Sequence, residues 1–198
     1  MSKGMIRTLA LGAMACLGAS SQAVTFYNVV ITSAPLSNGS TWNSIGNAIS
    51  FFTPNAIIVD GAPVGFGSLS IQYDADMGAN NTANTVGVNI GAATAGNGFI
   101  VFTEQVFELD QFNNEVGGPI GTAVGFNFNP SSATTHSEDI ALSRSVQRFR
   151  AKKTFFMSAA DTANQLDMAA LQYVNQNAVP EPAAFAVLGL GALALIRR

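Results

Sequence analysis

Cysteine is nearly missing from this chain: of 198 residues, Cys16 carries the single thiol. It lies in an apolar N-terminal stretch, so a domain beyond it holds no internal disulfide and must be stabilised by its own core. Histidine and tryptophan also occur once each, as His136 and Trp42. One histidine with no cysteine beside it cannot build a zinc site of the usual kind. Charge is scarce, at 11% of residues. Between residues 24 and 178, five basic residues stand against eleven acidic ones, a formal charge of −6. Such a surface gives no support for nucleic-acid binding. There is no internal repeat and no long 3.6-residue apolar pattern in that region, which argues against a helical fold.

What is present first is a pair of terminal signals. Lys3 and Arg7 give a positive start, residues 8–19 are apolar, and Ser21 and Ala23 are the small residues a signal peptidase reads. The pattern predicts a signal peptide over 1–23, export through the Sec translocon and cleavage after Ala23. Lipidation of Cys16 is the alternative, disfavoured because Ala13 stands where a leucine is usual and few apolar residues precede the cysteine. At the other end, Val179-Pro180-Glu181-Pro182 leads into apolar residues 183–196 and then Arg197-Arg198. The prolines restrict their neighbours and leave an extended peptide. Fourteen apolar residues make a helix of about 21 Å, shorter than a hydrocarbon core of about 30 Å. The terminal arginines resist translocation. A short transmembrane helix over 183–196 is therefore expected, as a transient anchor.

This ending resembles the PEP-CTERM sorting signal: a Pro-Glu-Pro motif, a short membrane helix and a terminal arginine cluster. The resemblance covers 179–198. It implies processing by an exosortase-type membrane enzyme in bacteria that make exopolysaccharide, and delivery to the cell surface or extracellular matrix. No Leu-Pro-x-Thr-Gly motif points to the sortase route.

Between the signals, residues 24–178 are enough for one domain with a core. Period-two or apolar β-rich runs recur at 25–32, 48–52, 56–59, 67–73, 86–90, 98–107, 123–129, 140–146, 147–157 and 166–174. Gly-, Asn- and Ser-rich turns separate them. The fold class expected is all-β, a single antiparallel β-sandwich, jelly-roll-like, packed on abundant phenylalanine. The one helical alternative is 159–171, rich in Ala and Leu. Residues 67–76 and 144–176 also loosely resemble β-rich domains found in front of this sorting signal, which carry no known activity.

Candidate chemistry is thin. His136 falls on a polar stretch, 131–139, read as a solvated loop, and no nucleophile-elbow pattern surrounds any serine. Asp74 and Asp76 open a segment like a calcium loop, but Gly78, Ala79 and Thr85 stand where it needs a ligand, a glycine and a closing glutamate. A hairpin tip is the expectation there. Glu104 and Glu108, with Asp110 nearby, would share a strand face, a minimal requirement for a glycan hydrolase. Trp42 is a candidate for stacking on sugar in an Asn/Ser/Gly-rich loop, weighed against a core role; Tyr27, Tyr73 and Tyr173 are scattered.

The most unusual feature is that Arg144, Arg148, Arg150, Lys152 and Lys153 are all of the domain's cations. Arg148, Arg150 and Lys152 alternate, so a strand puts them on one face with Phe149 and Ala151 behind. They read as a solvent-facing ladder that resists edge aggregation or holds anionic polysaccharide, replaceable by glutamine without loss of fold. The sequence therefore predicts a non-enzymatic, exported surface or matrix protein without cofactors, associated with exopolysaccharide. A matrix glycan hydrolase and a self-associating structural protein are the alternatives.

Overall fold

The computed structural model describes residues 23–60, 65–79, 81–128, 133–159 and 166–181. The expected N-terminal signal up to Gln22, together with Pro182, the expected membrane segment 183–196, Arg197 and Arg198, lies outside them. All regular structure among the described residues is β-strand: β1 (Thr25–Thr32), β2 (Thr41–Ile45), β3 (Ala48–Phe52), β4 (Ile57–Val59), β5 (Phe66–Asp76), β6 (Thr82–Ala95), β7 (Phe99–Glu108), β8 (Gly121–Phe128), β9 (Ala133–Val146), β10 (Arg148–Ser158) and β11 (Met168–Glu181). No helix among them is long and apolar enough to cross a membrane.

Every pairing is antiparallel. Sheet A runs β1-β5-β10-β7-β8; sheet B runs β2-β3-β11-β6-β9, with β4 also pairing β11. The two sheets face each other as a sandwich. Alternation sets the faces: along β10, Phe149, Ala151, Phe155 and Met157 are buried while Arg148, Arg150, Lys152 and Thr154 lie on the other side. Leu69, Ile71 and Tyr73 of β5 and Ile100, Phe102 and Val106 of β7 join them. Ile49 and Phe51 of β3, Val86, Val88 and Ile90 of β6 and Val174 and Ala178 of β11 supply the opposing layer.

Tyr73 is the hinge of this core. Its ring lies 5.8 Å from Phe51 on the facing sheet, 5.7 Å from Phe26 and 6.3 Å from Phe149, the last two edge-on. Phe102 stacks on Phe155 at 5.1 Å. Such pairs add about 0.5–1.5 kcal/mol each beyond the burial of their area. With no disulfide, aromatic packing joins the sheets, as composition predicts.

Each of the ten runs overlaps a strand, and 25–32 and 48–52 keep their bounds. Three readings change. Thr41–Ile45 is an eleventh strand. Met168–Leu171, the end of the helical alternative, are strand. Residues 133–139, read as loop, belong to β9 because they pair in register with β6. The stretch expected to serve as a sorting motif begins inside the sheet: Pro180 and Glu181 pair with Ala83 and Thr82.

Two glycines are demanded by their surroundings. Gly91 of β6 pairs with Tyr173 of β11, and a Cβ there would enter the tyrosine ring. Gly96, at φ +56, turns β6 into β7 where a Cβ would collide with the Asp167 carboxylate. Asp167 is fully buried and accepts the Asn97 backbone N–H at 2.7 Å.

Candidate functional site

The alternating cations do share the outer face of sheet A, but each already meets a carboxylate. Register places Arg150 beside Asp74 and Arg148 beside Asp76 across β10 and β5. Arg150 grips Asp74 with two donors, at 2.6 and 2.8 Å, and reaches Glu115 at 3.2 Å. Lys152 lies 2.6 Å from Glu115 and 4.5 Å from the centre of the Phe107 ring. Arg148 sits 3.6 Å from Asp76. Arg144, on β9, pairs with Glu108 (Nε donating at 2.7 Å).

A strap formed by residues 109–116 folds over this end of the sheet. Asp110 holds it in shape, accepting the N–H groups of Phe112 and Asn114 at 2.8 and 2.9 Å. The Asn114 N–H chiefly holds the Asp110 carboxyl below its usual range. The Leu109–Glu115 bridge closes the strap, and Tyr27 donates to the Asn113 side chain at 2.8 Å. The hydrogen bond from Lys152 is the main force lowering the Glu115 carboxyl, followed by that from Arg150. Arg150 is in turn held strongly protonated, first by its bonds to Asp74.

These contacts correct two expectations. The ladder is not a free cationic surface, and its strand β10 lies inside sheet A rather than at an edge. Asp74 has no exposed side-chain area and also accepts from Asn28, whose Nδ2 donates at 2.8 Å. The calcium candidates Asp74 and Asp76 are strand residues rather than a hairpin tip, and both face arginines. Asp76 also accepts the Gly78 N–H at 2.8 Å. Among the described residues, no group of three or more His, Cys, Asp or Glu side chains is placed to hold a metal ion.

The remaining candidates scatter. His136 is not on a solvated loop; it sits in β9, its Nε2 3.3 Å from Glu138. Trp42 is not core: it lies on edge strand β2, 45% exposed. Glu104 points into the core and Glu108 sits at its rim with Arg144, so the two share no open cleft.

Glu104 instead belongs to a buried polar cluster that the sequence did not announce. Lys153 is its direct cross-strand partner, Nζ 2.5 Å from Oε1, and neither side chain has exposed area. From the facing sheet, Gln176 of β11 places Nε2 2.6 Å from the same Oε1. The Lys153 ammonium stands 5.6 Å from the centre of the Tyr73 ring. Glu104 Oε2, Gln176 Oε1 and Tyr73 Oη make no hydrogen bond. The Lys153 contact is close enough for an ion pair but lies off the hydrogen-bonding direction. Charge attraction depends on distance first, so the ion pair stands. Burial lowers the Lys153 amine against the pull of Glu104, and burial raises the Tyr73 hydroxyl well above its usual value.

The outer face of sheet B has a different character. Register aligns Asn43, Ser50, Asn175, Asn89 and Ser137 across β2, β3, β11, β6 and β9. This single row of amides and hydroxyls is about 19 Å wide at the usual strand spacing. Asn89 donates to Ser137 at 2.6 Å. The next row carries Phe52, 58% exposed, and Tyr173 lying over Gly91. On the other side, Asn177, Gly87 and Asp139 line a shallow groove of about 280 Å³. A second groove, about 350 Å³, is lined by Phe52, Pro54 and Ile57. Period-two spacing of Asn175 and Asn177 was the available signal for this face.

No protein-family model and no curated protein matches the chain. Among solved structures it is similar to the enzymatically active domain of tailspike protein 4 of bacteriophage CBA120, at 10% identity and TM-score 0.30, covering 79% of this chain and 19% of that one. It is also similar to a structure of the infectious bursal disease virus Gx strain, at 8% identity and TM-score 0.37, covering 82% and 33%. A third likeness is to the CBM36-1 domain of a multidomain xylanase from the hindgut metagenome of Trinervitermes trinervoides, at 11% identity and TM-score 0.31, covering 77% and 98%. The chain spans about a fifth and a third of the length of the first two. Likeness at these TM-scores decides nothing about function.

Proposed function

We propose that this chain is an exported, non-enzymatic bacterial surface or matrix protein whose sandwich, wound in a jelly-roll-like manner, holds exopolysaccharide on the outer face of sheet B. One observation carries the reading: the row Asn43–Ser50–Asn175–Asn89–Ser137 beside Phe52 and Tyr173. Amides and hydroxyls match sugar hydroxyls, and exposed ring faces offer an apolar surface to the C–H side of a pyranose. The face carries little charge, whereas the cations of sheet A are engaged with Asp74, Asp76 and Glu115. The preferred ligand is therefore an uncharged glycan rather than the anionic polysaccharide that Arg148, Arg150 and Lys152 suggest alone. The burial of Glu104 supports a binding rather than a hydrolytic role.

Affinity electrophoresis of the full chain in neutral and uronic-acid polysaccharide gels tests this. Retardation by a neutral glycan should persist at raised salt, and Tyr173→Ala should weaken it about tenfold, or ~1.4 kcal/mol. Retardation confined to uronic-acid gels and abolished by salt would return the site to the arginine ladder.

Delivery belongs to the same proposal: signal peptidase at Ala23, then an exosortase-type enzyme at the Pro-Glu-Pro motif, with transient anchoring in the inner membrane. Mass spectrometry of the mature termini should find Val24 first and a C-terminus near Pro182. An intact Arg198 would mean a permanent tether. A second reading is favoured by edge strand β2, whose residues are all exposed, Trp42 and Ile45 included. Its unpaired backbone can accept a strand from another copy.

A further inference from the structure

The core of a sandwich is an expensive place for a lysine, a glutamate and a primary amide, and these three meet at one oxygen. Glu104 Oε1 is 2.5 Å from Lys153 Nζ and 2.6 Å from Gln176 Nε2. All three residues are at most 1% exposed. Lys153 and Glu104 are on sheet A and Gln176 on sheet B.

We propose that Lys153 and Gln176 become joined by an intramolecular amide bond, with Glu104 as proton carrier, stitching sheet A to sheet B through the core. Glu104 takes a proton from the ammonium, leaving a neutral amine with a free lone pair. The Lys153 nitrogen attacks Gln176 Cδ and its lone pair forms the new N–C bond. Glu104, now a carboxylic acid, passes its proton toward the departing amide nitrogen and recovers one from the attacking amine. The Cδ–Nε2 bond breaks, its electron pair leaves with nitrogen, and one ammonia departs. Of the three ammonium protons, one stays on the new amide, one leaves with ammonia and one remains on Glu104. One C–N bond replaces another, so no oxidant, metal or cofactor is needed.

Position supplies the rate. Lys153 and Gln176 are both held against one carboxylate oxygen, Glu104 Oε1, and groups oriented by a fold in this way react as if at effective concentrations of up to about 10⁵–10⁸ M. A desolvated lysine is also a stronger nucleophile than an ammonium in water, and burial shifts Lys153 in that direction. The buried Tyr73 ring lies 5.6 Å from the Lys153 ammonium on one side.

Proteolysis of the full chain followed by tandem mass spectrometry decides the matter. The expected product is a branched peptide joining the Lys153 and Gln176 segments, lighter by one ammonia than its two parts. Separate, unmodified peptides would overturn the bond and leave a plain buried ion pair. A branched peptide lighter by one water, joining Lys153 to Glu104, would overturn it equally. Glu104→Gln, in its folded fraction, should carry both peptides unlinked; a full link there would remove Glu104 from the chemistry. The wild-type map decides the bond whether or not that variant folds.

Discussion

Asp74 has no exposed side-chain area, yet it sits on the outer face of a sheet, sealed there by Arg150 and the 109–116 strap. Removing the arginine leaves a buried carboxylate without its cation. Arg150→Gln should therefore cost about 3 kcal/mol in a urea titration, the lower end for a broken buried pair. Glu115 gives the pH counterpart. Its carboxyl is lower in the folded state, chiefly through Lys152, so its contribution is complete above the ordinary glutamate range and is lost as pH falls through the folded value. Amide exchange within 109–116 should accelerate on acidification, and Glu115→Gln should exchange fast at every pH. Unchanged strap exchange across that range would detach Glu115 from its closure. Sequence showed the alternation of Arg148, Arg150 and Lys152 but not their partners. Asp74 and Asp76 arrive from β5 and Glu115 from a turn. Lys153 falls on the inward parity of Phe149, Ala151 and Phe155, but a lysine is normally excluded from that side. Its acceptance depends on Glu104 and Gln176, which no local pattern connects.

At the level of elements, β2 shows how little an edge strand needs from its sequence. Thr41–Ile45 lies between Gly39-Ser40 and Gly46, with no alternating apolar residues to mark it, and reads as loop. It forms because β3 offers a complete edge, and the pairings Trp42–Phe51 and Ile45–Ala48 complete it. Ile45 is 77% exposed. Ile45→Lys should leave stability within about 0.5 kcal/mol, as surface changes do. It should suppress any concentration-dependent association seen in sedimentation, since a lysine on an edge opposes strand addition. Association unchanged in that variant would exclude β2 as the joint. β9 makes the converse point. Thr135, Ser137 and Asp139 look like loop because sheet B turns its polar side outward there, while Ile140 and Leu142 continue the buried face.

The whole molecule holds what sequence can least supply, namely which strands become neighbours. Alternation and turns announced an all-β chain, and phenylalanine announced its core. The amide row of sheet B draws one residue from each of five strands, so it exists only once the pairing order is set. In that order β11 is central, paired with β3 and β4 on one side and β6 on the other. A chain stopped at Asp167 should lose cooperative unfolding altogether, measured by circular dichroism on heating, because sheet B would fall into separated pieces. A sharp transition in that chain would show that sheet A stands unaided. The same placement has a consequence for biosynthesis. The strand that completes sheet B is the latest of the eleven to be translated, so a chain threaded N-terminus first stays unfinished until residue 181 emerges. That delay gives any escort an interval in which the polypeptide is still loose enough to be passed through a narrow pore.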